Sequence, residues 1–301
     1  IFNDFEKFFD SIDIRVLLRM CLELKFPLEQ LVYALQQHLA PRIITCQRFC
    51  SKLVAIFKSI IAGCKFSKAF TVAYLHSDLT ALHQAHPASN PSSFVDDVSM
   101  ILKGFRADLI NQAIHLIVDF AVRSNSIGLR LSAKGVVSSK LPSVAKFIVK
   151  QIAEHGIHYK VEACTRDLGV GFSFKHQVKR QLLVKRIKSC NKPRVKAEKL
   201  SSVSRKARRL VPAGTFSKSL YGHPVTGVTD TQIVLFERHA ANTTGVAVGR
   251  CRYSTLSVAF APSLHPTIKV YREALVLWFD YIKHLGENAA VVPIEDLRVA
   301  C

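Results

Sequence analysis

Two adjacent acids lie within the sequence SSFVDDVSMIL, residues 92–102. Strand-forming residues flank the adjacent acids Asp96 and Asp97 on both sides, over Ser93–Val95 and Val98–Leu102. This pattern predicts a β-hairpin with the two acids in its tight turn. Neighbouring carboxylates repel each other and raise each other's pKa, which costs stability unless a cation or another partner lies nearby. The sequence therefore predicts that something binds at this turn.

The chain as a whole is strongly basic. Its 301 residues include 42 Lys and Arg against 22 Asp and Glu, a formal net charge of +20, and 49% of them are hydrophobic. That hydrophobic share is typical of a folded protein, and the length suits one large domain or two ordinary ones. The excess of positive charge favours a polyanionic partner, of which nucleic acid is the commonest. The alternative is a basic surface without a function.

The positive charge is concentrated in one segment. Residues 175–209 contain 14 Lys or Arg and a single acid, Glu198. Apolar residues interleave with the cations, which favours packed helices over a free tail. We therefore predict a domain over 1–174, a basic and mainly helical region over 175–284, and a tail over 285–301. A nuclear localisation signal is the competing interpretation of the basic segment.

The cysteines, histidines and apolar runs of the sequence do not favour a zinc protein, a secreted protein or a membrane protein. The eight cysteines form no CxxC pair, so a zinc site is not indicated, and they are typical of reduced thiols inside the cell, in nucleus or cytoplasm. His83 and His86 could ligate a metal, but in a turn-rich connection we expect them to face solvent. No apolar run reaches the roughly 18 residues that a membrane span needs, and the beginning, IFNDFEKFF, has no signal-peptide pattern. We expect no membrane partner.

The remaining patterns predict an α+β fold. Residues 1–9 suit a short buried strand, and 86–93 suit a turn-rich connection. Strand patterns also occur at 41–49, within 126–140 and, as a strand, turn and strand, at 159–174. Helical periodicity follows a loop at Gly63 and recurs in four further segments, at 10–26, 27–39, 107–124 and 143–157.

A third acid, Asp4, lies within the first apolar strand pattern. If that strand lies beside the 96–97 turn, two or three carboxylates converge at one edge of a sheet. Hard cations such as Mg²⁺ prefer oxygen ligands of this kind. Two such ions about 4 Å apart can activate a 3′-hydroxyl and stabilise a leaving pyrophosphate.

At these residues the chain resembles reverse transcriptases. DFEKFFD is similar to motif A of that family, with Asp4, the aromatic Phe9 and Asp10 in the motif's positions, and FVDD resembles the motif C hairpin. Between them, a glycine-led loop and helix at 61–75 resembles motif B. After them, GLRLSAKG resembles motif D and RDLGV the Leu-Gly turn of motif E. The resemblance covers about residues 1–175 and is closest to non-LTR retroelements.

The resemblance implies a polymerase palm, an antiparallel sheet flanked by helices, followed by a basic thumb-like region. It implies an RNA-directed DNA polymerase that uses an RNA template, a DNA primer and dNTPs, with two Mg²⁺ ions, or Mn²⁺ in their place. Asp4, Asp96 and Asp97 would be catalytic and hold the metal ions. Lys134 would be the motif D lysine, acting as general acid or attracting phosphate. A solvated surface lysine is the alternative.

The resemblance also implies residues that contact substrate and nucleic acid. Phe9 would pack under the sugar and select deoxynucleotides, which disfavours RNA synthesis; otherwise it is a core residue. Gly63 would let the backbone approach the template and Ser67 would lie beside it; otherwise Gly63 is a plain helix-start glycine. Nucleic acid would be bound at Leu168, Gly169, Lys179, Arg180, Lys185, Arg186, Lys188, Arg205, Arg208 and Arg209.

Two departures leave a second interpretation open. Motif B usually has Gln before its glycine and Asp-Pro after it, whereas this chain has Ala62, Cys64 and Lys65. The family's fingers precede motif A, and this sequence begins three residues before Asp4. The alternative to an active polymerase is a catalytically inactive nucleic-acid-binding remnant of a retroelement.

Overall fold

The computed structural model describes residues 1–104, 106–168, 170–173, 181–244 and 252–287. It divides into two compact units, Ile1–Leu168 and Gly169–Cys301. The first unit is α+β and contains the acids of interest. After one strand, every element described in the second unit is helical.

The first unit alternates short strands with longer helices. Its elements in chain order are β1 (Phe2–Asn3), α1 (Phe8–Ser11), α2 (Ile14–Glu23), α3 (Leu28–Leu39), β2 (Thr45–Cys46), β3 (Phe49–Cys50), α4 (Ser67–Ala85), β4 (Ser89–Phe94), β5 (Asp97–Leu102), α5 (Arg106–Ser126), β6 (Val136–Val137), α6 (Pro142–Ala153), β7 (Lys160–Val161) and β8 (Cys164–Asp167).

A five-stranded sheet forms the centre of this unit, with strand order β4-β5-β1-β6-β7. Three of the four pairings are antiparallel, and the pairing of β6 with β7 is parallel. The sheet is therefore mixed, where the sequence predicted an antiparallel one. A parallel pair needs a crossover, which α6 supplies between the two strands.

The predicted hairpin is confirmed, with a longer first strand. The prediction that both acids lie in its turn is wrong for Asp97, which pairs with Phe94 and begins β5, so that Val95 and Asp96 form the turn. β4 and β5 pair from Ser89↔Leu102 to Phe94↔Asp97. On β5, Val98 and Met100 are buried and Ile101 is exposed, the alternation that fixes which face meets the core. The prediction of a turn-rich connection over 86–93 is wrong from Ser89 onward. In the sequence Pro91 favours a turn, because proline is rare within strands. Proline is tolerated on an edge strand, however, and β4 is the edge strand of this sheet.

The first segment is also shorter as a strand than predicted. β1 covers only two residues, and after an isolated bridge at Phe5 the chain turns at Lys7, with φ 47°, into α1. The bridge joins Phe5 to Leu131, and the Phe5 ring is buried against Phe8 and Phe120. The aromatic residues Phe5 and Phe8 pack in the core and do not belong to β1.

Helices α2 to α5 cover the sheet through one apolar core. In α2, residues Ile14, Leu17 and Cys21 are buried at helical spacing, and the Asp13 carboxylate caps the helix by accepting from the Arg15 N–H at 2.9 Å. In α4, Tyr74 is fully buried and its hydroxyl donates to the Ile127 carbonyl. Each large apolar side chain buried in this way contributes about 1.5–3 kcal/mol.

The second unit has a separate core. Its elements are β9 (Val170–Ser173), α7 (Gln181–Ser189), α8 (Asn191–Val203), a 3-10 turn (Arg205–Arg209), a π-helical turn (Val211–Phe216), α9 (Ser217–Ser219), α10 (His223–Thr226), α11 (Asp230–Asn242), α12 (Arg252–Ala259), a 3-10 turn (Pro262–Leu264) and α13 (Pro266–Glu287). Phe216 and Phe236 meet edge to face at 5.2 Å in the core. A capping box between Thr229 and Gln232 begins α11.

None of the helices described in either unit is long and apolar enough to cross a membrane.

Candidate active site

Three acids lie at one end of the central sheet. The pairing of β1 with β5 has the register Phe2↔Ser99 and Asn3↔Val98, so the next residues along each strand are Asp4 and Asp97. Asp96 precedes Asp97 in the turn that closes the β4–β5 hairpin. The expectation that the Asp4 strand neighbours the 96–97 turn is therefore met by the strand order and register.

The hairpin turn is tight and strained. Phe94 pairs with Asp97, which leaves Val95 and Asp96 as the two central residues. Val95 has φ 61°, a region that β-branched residues avoid and in which glycine is usual. Backbone strain of this kind costs about 1–3 kcal/mol and is concentrated at functional sites. Asp96 and Asp4 are half-buried, and Asp97 is exposed.

A buried polar contact holds β1 in place next to Asp4. The Asn3 side chain is 3% exposed; its Nδ2 donates to the Val98 carbonyl at 3.1 Å, and its Oδ1 accepts from the Tyr159 hydroxyl at 2.7 Å. Burial, and then the negative charge of Asp4, raise the pKa of Tyr159. Tyr159 therefore stays protonated and keeps donating. Neither residue is predicted from the sequence, where the one signal is a polar Asn in an otherwise apolar strand pattern.

Tyr159→Phe is expected to lower the free energy of unfolding by about 1–3 kcal/mol at neutral pH, because it leaves the buried Asn3 oxygen without a donor. The pKa of Tyr159 is higher in the folded state than in the unfolded one. The stability that this shift contributes is present below the unfolded pKa of about 10 and is lost as pH rises above it. Urea titrations from pH 7 to 11 should show the difference between variant and wild type shrinking above pH 10.

Tyr33→Phe is the matched control, because Tyr33 lies on α3 and is 73% exposed. Tyr33→Phe should leave the free energy of unfolding unchanged across the titration from pH 7 to 11. Equal stability losses for the two substitutions would contradict the role given to the buried Tyr159 hydroxyl.

The loop after α5 is tied to the Asp4 backbone. The Ser132 N–H donates to the Asp4 carbonyl at 2.7 Å, and the Ser132 hydroxyl accepts from the Lys134 N–H at 3.2 Å. Lys134 is exposed on this turn. Gly135 follows it, and a Cβ there would lie 2.3 Å from the Tyr159 ring. The loop thus carries Lys134 beside the strand of Asp4, and a glycine is required for its close packing.

Phe9 is half-buried and packs against the first core. Its ring meets Phe8 edge to face at 5.7 Å, and its carbonyl accepts from the Ile60 N–H at 2.9 Å. Asp10 is exposed and accepts a long hydrogen bond, 3.5 Å, from the Ser59 hydroxyl. The structure gives Phe9 a core contact, and its selection of sugars stays a prediction.

Gly63 and Ser67 belong to one loop at the beginning of α4. Gly63 has φ 87°, and no atom lies within 4 Å of where a Cβ would be, so the backbone conformation and not crowding favours glycine. Ser67, the first residue of α4, is buried, and its hydroxyl donates to the Ile61 carbonyl. Ser67 therefore has a structural contact, and a contact with substrate stays a prediction.

The chemistry of the three acids suits a hard divalent cation, since carboxylate oxygens are the ligands that Mg²⁺ prefers. As the side chains lie, however, no group of three or more His, Cys, Asp or Glu in the described ranges is close enough together to hold a metal ion. The backbone brings the acids to the same end of the sheet. Joint coordination would require the carboxylate side chains to change their positions.

The second unit presents a row of cations on α7, α8 and the following turn. Lys185 and Lys188 are exposed and three residues apart, so they share a face of α7. On α8, the exposed residues Lys192, Lys196 and Lys199 also share one face. The single acid of the segment, Glu198, is paired with Arg194 at 2.6 Å. Most of the positive charge here thus faces solvent.

The predicted nucleic-acid-binding residues differ in their surroundings. Arg205 and Arg209 are exposed, and Arg208 is half-buried. Arg186 donates to the Tyr221 carbonyl at 2.7 Å, and its guanidinium lies 5.3 Å from the centre of the Tyr221 ring. Leu168 is 41% exposed with φ 45°. Gly169, Lys179 and Arg180 lie outside the described residues.

Comparison with known proteins does not assign the chain to a family. No protein-family model matches the chain, and no curated protein matches it significantly.

Proposed function

We propose that the chain is part of a reverse transcriptase of a retroelement, which extends a DNA primer on an RNA template by two-metal nucleotidyl transfer. The observation that supports this most is the register Asn3↔Val98, which places Asp4 next to the hairpin of Asp96 and Asp97. Acids on two neighbouring strands at one sheet end are what joint metal coordination requires. The resemblance to the family motifs supplies the specific reaction.

The residues would act as follows. Asp4 and Asp96 supply carboxylate oxygens for the divalent ions, and Asp97 supports them. Those ions would activate the primer 3′-hydroxyl and stabilise charge on the leaving pyrophosphate. Lys134 lies on the exposed turn whose Ser132 is hydrogen-bonded to the Asp4 backbone, and its ammonium group would attract phosphate or act as general acid. Phe9 would exclude a 2′-hydroxyl from the sugar position.

The cations of the second unit would hold the primer and template. Contacts with phosphates are independent of sequence, and affinity then falls with salt as counterions are released. A polymerase that must move along any template needs this kind of contact. The exposed lysines on one face of α7 and one face of α8 are consistent with it.

Primer extension tests the proposal directly. Purified protein with a DNA primer on an RNA template, Mg²⁺ and dNTPs should give extended products, and replacing dNTPs with NTPs should give little extension because of Phe9. Extension with NTPs at the same rate would contradict the role of Phe9. Absence of extension, with primer–template bound, would contradict the enzyme assignment.

A non-catalytic nucleic-acid-binding protein is the second candidate. It is favoured by the absence, within the described residues, of a ready-made group of metal ligands. It is also consistent with the internal contacts of Phe9 and Ser67. Binding of primer–template without extension, at any Mg²⁺ or Mn²⁺ concentration, would support this candidate over the polymerase.

A further inference from the structure

An arm of the first unit, residues 42–58, projects its side chains into solvent. Arg42 and Val54 exchange backbone hydrogen bonds of 3.0 and 2.9 Å, and β2 pairs with β3 through Thr45↔Cys50 and Cys46↔Phe49. Both residues of each strand are exposed. We call residues 42–58 the basic hairpin.

The basic hairpin exposes large apolar side chains. Phe49 and Phe57 are 78% and 80% exposed, and Ile44 is 68% exposed. Phe49 lies opposite Cys46, and Ile44 lies two residues before Cys46, so Ile44 and Phe49 share one face of the hairpin. Exposed apolar side chains that share a face, as Ile44 and Phe49 do, mark a surface that another molecule covers.

The charge within the hairpin segment itself has one sign, and the acid that bridges to its end, Asp13, lies opposite Lys58. From residue 30 to residue 77 the sequence has no Asp or Glu but six Lys or Arg. Arg48, Lys52 and Lys58 are exposed on the hairpin. The Nη2 atom of Arg42 is buried without a hydrogen-bond partner among the described residues. Six cations and no acid over 48 residues favour an anionic occupant and disfavour a second copy of the same face.

Exposed aromatic rings among cations are the features that bind single-stranded nucleic acid. Bases stack on the rings, and Lys and Arg contact the phosphates. Bases in a duplex are already stacked on each other, so exposed rings favour single strands. An acidic protein would complement the positive charge. Its acidic side chains would not stack on the two aromatic rings, which are about 80% exposed.

We propose that the basic hairpin is a binding surface for single-stranded nucleic acid, with Phe49 and Phe57 as stacking platforms and Arg48 and Lys52 as phosphate contacts. This surface is separate from the acids Asp4, Asp96 and Asp97. It does not require that those acids catalyse a reaction.

The test measures binding by the whole chain in EDTA without nucleotides. The probes are a fluorescent oligothymidylate and an oligouridylate of about 20 nucleotides, and a duplex of equal length. The double variant Phe49→Ala/Phe57→Ala should weaken single-strand binding at least about tenfold and change duplex binding less than about twofold. Both replaced positions are exposed, so the double variant should fold, which circular dichroism checks.

Charge reversal gives a second readout. Arg48→Glu/Lys52→Glu should reduce the slope of log affinity against log salt for the single strand by about 1.4, since each phosphate contact contributes about 0.7. Helix α6 offers matched controls, Phe147→Ala, where Phe147 is 50% exposed, and Lys146→Glu beside it. Neither control should change single-strand affinity more than about twofold.

Three results would overturn the proposal: wild-type single-strand affinity in the aromatic double variant, equal losses in the α6 controls, or tighter binding of poly-glutamate than of either oligonucleotide. Asp96→Asn is included as a separate variant. It should bind the single strand normally, so failure of this proposal and failure of the polymerase proposal give different results.

Discussion

Asp96→Asn is expected to abolish primer extension, with a loss of about 10³-fold or more in the rate of nucleotide incorporation. Asparagine keeps the shape of the side chain but removes the charge that balances divalent ions. A metal ion contributes several kcal/mol of charge stabilisation in the transition state, and each 1.36 kcal/mol corresponds to a factor of ten. Single-nucleotide incorporation on an RNA template, measured under saturating dNTP, gives the rate.

The control for this prediction is Asp108→Asn, since Asp108 is an exposed acid in the first turn of α5. It should leave the rate within about twofold of the wild type. Binding of primer–template should be retained by both variants. Extension that survives Asp96→Asn would contradict the assigned mechanism, even if the protein proves to be a polymerase.

Gly135→Ala is expected to destabilise the first unit by about 3 kcal/mol. The added Cβ would lie 2.3 Å from the Tyr159 ring, and two further ring atoms would lie at 2.5 and 2.6 Å. Tyr159 cannot move away without breaking its buried hydrogen bond to Asn3. Overpacking of a tight interior typically costs 1–3 kcal/mol. Thermal unfolding should show a Tm lower by roughly 6–12 °C, at 2–4 °C for each kcal/mol in a unit of this size.

Gly104→Ala is the matched control, because the nearest atom to its Cβ would be Leu109 Cδ1 at an ordinary 3.8 Å. It should cost less than about 1 kcal/mol. The double variant Gly135→Ala/Tyr159→Ala should be destabilised by clearly less than the sum of the two single variants, since removing the ring removes the clash. Additive losses would show that the Tyr159 ring is not what Gly135 accommodates.

The part of the site that could be predicted is local in the sequence. The β4–β5 hairpin follows from strand-forming residues on both sides of two acids, and the strand of Asp4 follows from an apolar pattern. That this strand lies beside the hairpin was a condition suggested by the resemblance to motifs A and C, which the pairing of β1 with β5 meets. Both strand patterns depend on neighbours within a few residues. The loop and helix after Gly63 were recognised in the same way, from a glycine followed by helical periodicity, and α4 begins at Ser67.

The contacts that were missed join distant residues. Asn3 and Tyr159 are 156 positions apart. No pattern within either segment indicates that the Tyr159 hydroxyl donates a hydrogen bond to the Asn3 side chain. The need for Gly135 is equally hidden, because it depends on where the Tyr159 ring lies. Pro91 was misjudged for a related reason: a proline is compatible with a strand only at a sheet edge, and which strand is at the edge depends on the whole topology.

Metal-directed cleavage of the backbone would show whether Asp4 and the Asp96–Asp97 hairpin bind the same divalent ions. Fe²⁺ would replace Mg²⁺ in the presence of primer–template and dNTP, and ascorbate and peroxide would generate hydroxyl radicals at the bound ion; mass spectrometry then locates the cuts. If the three acids bind the same ions, cuts are expected near both Asp4 and Asp96–Asp97, suppressed by excess Mg²⁺ and absent in Asp96→Asn. Cuts at only one of these segments, or at neither, would contradict the claim that acids of neighbouring strands share divalent ions.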